Sequence, residues 1–464
     1  MSITRELARF AVTLRFEDLP VNVVSQAKLN ILNIIGKAFA GYKVSLAKPY
    51  LSLAKGMGGG KGDATVIGDG AKIACAPAAF ANSSLATMLD YDDTLHWALV
   101  HPGNASVSAA LATGELVKGT GKEFITSIVL GYEIGGRISL AIQPGVDRFH
   151  KVWGLGNQAF AAAPPAGKML KLNEDQMTST LGITGTYSVV PSAWKYLGEG
   201  TRPMREVKMA WGWSTMVGTF SALAAKEGLR MLQPSNIFEG EESWYIMHGS
   251  DKCEFSKITE KLGERWDILT TAIKAYSACY LIFAPCDAAQ DALKKATIDP
   301  DDVVEVKVTG GQWITRRLSD DDPKGVVDAQ FSTQWAIAMI ILGIPPGPEW
   351  CSEERLSDPR AQALCKKVKV ELDPDADRAW LEDGKSVNTV EIVTKDGKRV
   401  TGHVTHPKGE LPNPFTPDEI RATYKRLAAY VIKPQQIDQI MDMVENLDKL
   451  DDISRLAALL YPRG

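Results

Sequence analysis

The sequence predicts a mostly α protein, built as a large all-helical domain with a smaller inserted α+β domain. Three observations carry that expectation. Helical periodicity dominates the chain to about residue 265, alternating β-branched residues appear only later, and a proline-initiated capping box at Thr416–Glu419 then returns the chain to helix. The order helix, α+β, helix divides the chain into 1–268 (helical), 269–403 (α+β) and 404–464 (C-terminal helices completing the helical domain).

The individual elements follow from local patterns. Ala27, Ile31, Ile34, Ile35 and Ala38 recur at helical spacing, which predicts a helix from about Val21 to Ala40 with Gly41 as its stop. Thr65–Ile67 is a short strand signal inside a glycine-rich loop. Thr120 with Glu123 forms a capping box that opens a helix from Gly121 to about Ile142. Gly131, Gly135 and Gly136 weaken that helix unless another helix packs closely on them. Asn173 with Gln176 marks a further helix start, and Ser214–Glu227 is Ala-rich and helical. Val304, Val306 and Val308 alternate with charged residues, as do Val368, Val370 and Leu372, so both segments are half-buried strands. Thr389–Thr394 and Lys398–Val404 flank Asp396-Gly397, a strong hairpin signal. Helices are expected between the strands at Asp287–Ala296 and Gln334–Leu342.

Composition narrows the function. A chain of 464 residues with 45% hydrophobic residues can bury a large core, and a net charge of −4 offers no basic face to a nucleic acid. Six cysteines without a CxxC pair fit a reducing compartment. The N-terminal segment has no signal-peptide core, and Glu6, Glu17 and Asp18 argue against a transit peptide. No uninterrupted apolar run is long enough to span a bilayer. A cytoplasmic location without membrane partners is the expectation. Lys55–Gly62 resembles a phosphate loop, but Gly62 stands where a metal-binding Ser or Thr would be needed. No metal or nucleotide motif remains, so no cofactor is expected.

The segment that carries chemistry is Asp90-Tyr-Asp-Asp-Thr94, followed by His101-Pro102-Gly103. On a helix, Asp90 and Thr94 would face the same way. Taken alone, this is more simply a solvated acidic helix end with a loop histidine, because charge runs usually sit on solvated faces.

LDYDDT…HPG and the helical ALATGELVKGTGKEFITSIVLGYEIGGRI after it are similar to a block of the MmgE/PrpD family. Further matches run in the family's order: Arg148–His150, Lys208 ahead of Gly218, Ile273–Cys279, Ala329–Ala336, Pro407-Lys-Gly and Pro412–Thr416. Together these resemblances cover nearly the whole chain. They imply a helical domain, an α+β lid with a cleft between the two, a homodimer, and chemistry on small di- or tricarboxylates without a cofactor. Catalytic residues implied by the resemblance are Asp90, His101, His150 and Lys208, with Thr94, Lys274, Cys279 and Trp335 contacting substrate.

These residue types suit proton abstraction beside a carboxylate. The dianionic enolate-like species needs fixed cations, for which Lys208 and Lys274 are candidates, and histidine is the natural base. His101 is the first candidate and His150 the second. Asp90 would orient a cation or histidine, and Thr94 would donate to substrate. Asp92 and Asp93 are expected to be structural. Each match has a plainer reading: His150 as a satisfied core histidine, Lys208 and Lys274 as surface lysines. Cys279 and Trp335 depart from the His and Tyr of the family's decarboxylases. The implied activity is that of a lyase or isomerase, most like dehydration of a 2-methylcitrate-like acid. Its alternatives are iminodisuccinate-type epimerisation, cis-aconitate-type decarboxylation, and polycarboxylate binding without catalysis.

Overall fold

The computed structural model describes residues 2–59, 62–149, 151–154, 156–188, 192–197, 202–205, 208–230 and 236–463. Helix covers 59% of the chain and strand 8%, so the fold is mostly α.

Helices at the centre of the fold are held together by missing side chains. The Val21–Tyr42 helix runs through Gly41 rather than stopping there. A Cβ at Gly41 would lie 1.9 Å from the Leu85 carbonyl, so this glycine marks a helix crossing, not an end. The Gly121–Ala141 helix begins with the expected reciprocal Thr120–Glu123 capping box. A Cβ at Gly131 would meet Ser106 Oγ at 2.1 Å, and one at Gly135 would meet the Ala161 Cβ at 2.7 Å. These glycines let the helix sit against Pro102–Val117 and Ala159–Met169. Its length and hydropathy would suffice to cross a membrane, but it is a core helix, 94% buried in its most apolar window.

Strands are few. The glycine-rich loop holds a two-residue ladder, β1 (Ala64–Thr65) on β2 (Lys72–Ile73). The α+β segment carries β3 (Val303–Gly310), β4 (Val368–Leu372), β5 (Asn388–Thr394) and β6 (Arg399–Val404), in the order β4-β3-β5-β6. β4 pairs parallel to β3, and β5 and β6 form the expected hairpin, with Gly397 at φ 81° in its turn. Val304 was expected in the core and is 46% exposed instead. The β3–β5 register shifts between Val303 and Glu305, which turns Val303 inward and Val304 out. Helix Phe283–Lys295 covers β5 and β6; a Cβ at Gly402 would lie 1.9 Å from Ala288 O.

Beyond the sheet, the capping box at Thr416 opens helix Pro417–Ala428, which packs on Val21–Tyr42, and Pro434–Glu445 follows. The C-terminal helices thus lie on the N-terminal helical layer.

Candidate active site

The acidic segment is not helical. Helix Cys75–Thr87 ends before it, and Asp90 adopts a left-handed φ of 51°. Asp tolerates this region better than most side chains, and the turn replaces the helical i, i+4 relation expected for Asp90 and Thr94. The segment is also buried rather than solvated. Thr94 pairs with Ala272 through both backbone bonds (3.0 and 2.9 Å). That bridge brings Lys274, two residues on, against Asp90.

Lys274 Nζ donates to the Asp90 carbonyl at 2.9 Å and lies 3.3 Å from Asp90 Oδ1. The same Oδ1 accepts from Lys208 Nζ at 2.9 Å. Both lysines are fully buried, so neither is a surface lysine. Lys208 caps the start of helix Met209–Lys226. A Cβ at Gly212 would meet Ser84 Oγ at 2.1 Å, so this helix closes tightly on Cys75–Thr87 and brings Lys208 over Asp90. Burial would raise the Asp90 pKa, but Lys208, Lys274 and His101 hold it below the carboxylate range. Burial likewise works against the Lys274 ammonium, yet Asp90, Asp92 and the Cys279 side keep its pKa raised.

His101 stands at the start of helix Pro102–Val117. Its Nδ1 lies 3.1 Å from the Asp93 carbonyl and 3.4 Å from Asp92 Oδ2. Both neighbours only accept, so Nδ1 carries a proton, and in the neutral form of the ring Nε2 presents its lone pair. Among the described residues Nε2 has no hydrogen-bond partner. Gln158 holds the backbone on both sides, accepting from the His101 N–H at 3.1 Å and donating to its carbonyl. Asp92, fully buried, also accepts from Thr87 Oγ1 at 3.0 Å and from Asn104. Burial opposes its charge, but His101 and Lys274 hold its pKa far below the usual range. Asp92 therefore orients the histidine, a role the sequence did not suggest. Trp211 joins the two halves: its ring meets His101 edge-on at 5.7 Å and lies 5.8 Å from Lys208 Nζ.

Asp93 is structural, as expected. It accepts from Tyr132 at 2.5 Å and from Gly103 N–H at 3.1 Å, and burial pushes its pKa up to about 7. A Cβ at Gly103 would lie 2.3 Å from Asp93 Oδ1, which explains the glycine after His101-Pro102. Behind the lysine pair, Lys37 donates to the Lys274 carbonyl at 3.4 Å and sits 2.8 Å from the Tyr91 ring centre. Burial, with Arg426 nearby, holds its pKa well below the ordinary lysine value.

Two expectations change, and a third is not met by the described residues. Thr94 Oγ1 donates to the Val100 carbonyl at 3.1 Å, so its proton is already used and it braces the loop. Trp335 is buried, and its indole N–H donates to Trp350 O at 2.7 Å, so it offers no free donor to a substrate. His150 lies outside the described residues. Cys279 does sit within the electrostatic reach of Asp90, Lys274 and Lys208, and burial pushes its thiol up to about 12, so it is neutral. Trp211 was missed, although Lys208 and Trp211 at i, i+3 around a helix start were a readable signal. Gln158 and Asn104 had none.

Two family models divide the chain. The MmgE/PrpD N-terminal domain matches residues 5–256, and the MmgE/PrpD C-terminal domain matches residues 276–449. The chain belongs to the MmgE/PrpD family. It is an enzyme of that family. Among curated proteins it is 26% identical to a cis-aconitate decarboxylase of Aspergillus terreus, over 99% of this chain and 96% of that one. It is 24% identical to the cis-aconitate decarboxylase of Mus musculus and 23% identical to that of Homo sapiens, over 99% of this chain and 93% and 94% of theirs.

Proposed function

We propose that this enzyme is a lyase or isomerase that removes a proton α to a carboxylate of a small polycarboxylate, with dehydration of a 2-methylcitrate-like hydroxy acid as its net reaction. The observation that carries the reading is the anchored Nδ1 of His101, held by Asp92 and the Asp93 carbonyl, on a ring that packs against the same tryptophan as Lys208. In this mechanism Nε2 takes the α proton and Asp92 stabilises the imidazolium that forms, which then gives that proton to the departing hydroxyl as the C–O bond breaks and water leaves. Lys208 and Lys274 each keep N–H donors beyond those given to Asp90, and these hold the substrate carboxylate as it gains enolate character. Because the site is buried, such donors are worth more than in water.

Charge bears on the substrate. Lys208 and Lys274 bring two positive charges, and Asp90 and Asp92 oppose them with two negative ones. A neutral Cys279 adds no cation, which favours an acid with an apolar or amine group in that corner, such as the methyl group of a 2-methylcitrate-like acid, over one with a further carboxylate there. A second reading, decarboxylation of a cis-aconitate-like acid, is favoured by the names of the curated relatives. Ligand binding without catalysis is disfavoured by the intact Asp92–His101 and Lys208–Asp90–Lys274 arrangement. The α+β unit is proposed to move as a lid, since Lys274 lies close to the point where the helical domain gives way to it. A homodimer is proposed alongside, on the family resemblance and on Trp213 and Phe220, exposed seven residues apart on helix Met209–Lys226.

The deciding experiment incubates the enzyme in heavy water with 2-methylcitrate, citrate, cis-aconitate and an amino-dicarboxylate, read by proton NMR. Deuterium at the α carbon of at least one acid is expected, lost in His101→Asn. No exchange into any of them would overturn the proposal.

A further inference from the structure

Six residues before Lys208, the Arg202 guanidinium enters a cradle built from a distant part of the chain. One terminal nitrogen lies 2.7 Å from Asp328 Oδ1 and 3.0 Å from Asp320 Oδ2. The other donates to the carbonyls of Phe331 (2.5 Å) and Arg317 (3.2 Å). Asp328 is fully buried, and its Oδ1 also accepts the Met204 N–H at 2.9 Å while its Oδ2 accepts the Lys324 N–H at 2.9 Å. An exposed ion pair contributes little, but a forked, charge-assisted set of bonds to a buried carboxylate fixes geometry as well as energy.

The cradle is also a wall of the site. Phe331, whose carbonyl receives Arg202, places its ring 5.4 Å from Lys208 Nζ. The neighbouring Gln330 carbonyl accepts the Cys279 N–H at 2.8 Å, and its side chain donates to Met88 O at 2.9 Å, two residues before Asp90. One short segment, 328–331, thus ties together the approach to Lys208, the turn at Asp90 and the residue at Cys279.

We infer that Arg202 is a positioning residue: by docking on Asp328 and Phe331 it fixes residues 202–205, and so where Lys208, six residues on, meets Asp90 and the substrate. It touches neither Lys208 nor the reacting atoms. Its effect on rate rests on the proposed function; its effect on the order of the Lys208 segment does not. Lysine cannot replace it, because a single ammonium cannot serve carboxylates and carbonyls spread around a planar fork.

The test uses the full chain with Arg202→Ala and Arg202→Lys, read by backbone hydrogen exchange and by α-proton exchange into citrate and cis-aconitate. Exchange in peptides spanning 202–215 should rise at least about tenfold in both variants, with peptides of β3, β5 and β6 unchanged. The maximal rate should fall roughly 10²-fold, as for a misplaced catalytic group, with KM changed much less. Millimolar guanidinium should restore part of the Arg202→Ala rate. If Arg202→Ala does not fold, Arg202→Lys carries the same comparison. Wild-type exchange over 202–215, or an Arg202→Lys variant equal to wild type, would overturn the inference. Should the wild type exchange neither acid, the proposed function fails, and the backbone exchange still decides the clamp.

Discussion

Asp90 Oδ1 accepts from Lys208 at 2.9 Å while the Asp90 carbonyl accepts from Lys274 at 2.9 Å, so one residue in a left-handed turn holds two buried ammonium groups side by side. The pairing keeps two cations available to an anionic transition state that could not otherwise remain charged in a dry site.

Removing that one charge should therefore disturb both lysines. Asp90→Asn keeps a side chain that tolerates φ 51°, and it should cost about 3–5 kcal/mol of stability by leaving two buried charges uncompensated. Asp90→Ala should cost roughly 1 kcal/mol more, because alanine is strained in the left-handed region. Denaturant unfolding of both variants measures the difference; equal stabilities would contradict the role of the turn.

Asp92 should matter to rate rather than to binding. It stabilises the imidazolium only after His101 has taken a proton, so Asp92→Asn should lower kcat by about 10²–10⁴-fold with little change in KM. His101→Asn should do the same, and the double variant should be little worse than either. Independent, multiplying losses in steady-state kinetics would show that the two do not act as a pair.

The sequence revealed the architecture where local chemistry is self-sufficient. Capping boxes at Thr120, Asn173 and Thr416, and the Asp396-Gly397 hairpin, stand as expected because each needs only neighbours within three residues. What it hid depends on distant partners. Gly41 resembled a helix stop, and only the Leu85 carbonyl reveals it as a crossing point. The DYDDT block read as a helical face, and the structure gives it another geometry: a backbone turned left-handed at Asp90 places Asp92, not Asp90, beside the histidine. Thr94 and Trp335 carry the expected chemistry but spend their donors on Val100 and Trp350, which no local pattern announces.

Packing at the helix crossing makes a simple prediction. Gly135→Ala puts a methyl group 2.7 Å from the Ala161 Cβ and 2.9 Å from its Cα, which cannot move without shifting helix Ala159–Met169. Although alanine favours helix, overpacking should win and destabilise by about 1–3 kcal/mol. A thermal scan showing equal or greater stability would contradict the close approach.

Stability should also depend on acid through His248. This ring is buried, stacked 4.6 Å from Trp244, and desolvation lowers its pKa to about 4. The unfolded chain has the ordinary value near 6.5, so the folded state favours the neutral ring. The stabilisation is fully present above pH 6.5 and is lost as pH falls toward 4, by about 3 kcal/mol in all. His248→Leu should lack this component of the acid loss. The comparison is urea unfolding of both proteins at pH 7 and pH 4; identical losses would exclude His248 as a source.

Substrate choice should turn on Cys279. Its thiol, pushed up to about 12, is neutral beside Lys274 and Lys208, so it cannot pair with a further carboxylate. Imidazole at this position, protonated beside the bound anion, could do so. Cys279→His should therefore raise kcat/KM for a tricarboxylate relative to a matched dicarboxylate by roughly 10–150-fold, the equivalent of one charge-assisted hydrogen bond of about 1.5–3 kcal/mol. Cys279→Ser, polar but uncharged, should leave the ratio within about threefold, since no ion pair is gained. Steady-state kinetics of the three proteins on citrate, cis-aconitate and their dicarboxylate analogues gives the ratio directly. If the wild type already prefers cis-aconitate and releases carbon dioxide from it, the missing histidine does not select against a third carboxylate, and another cation serves that corner.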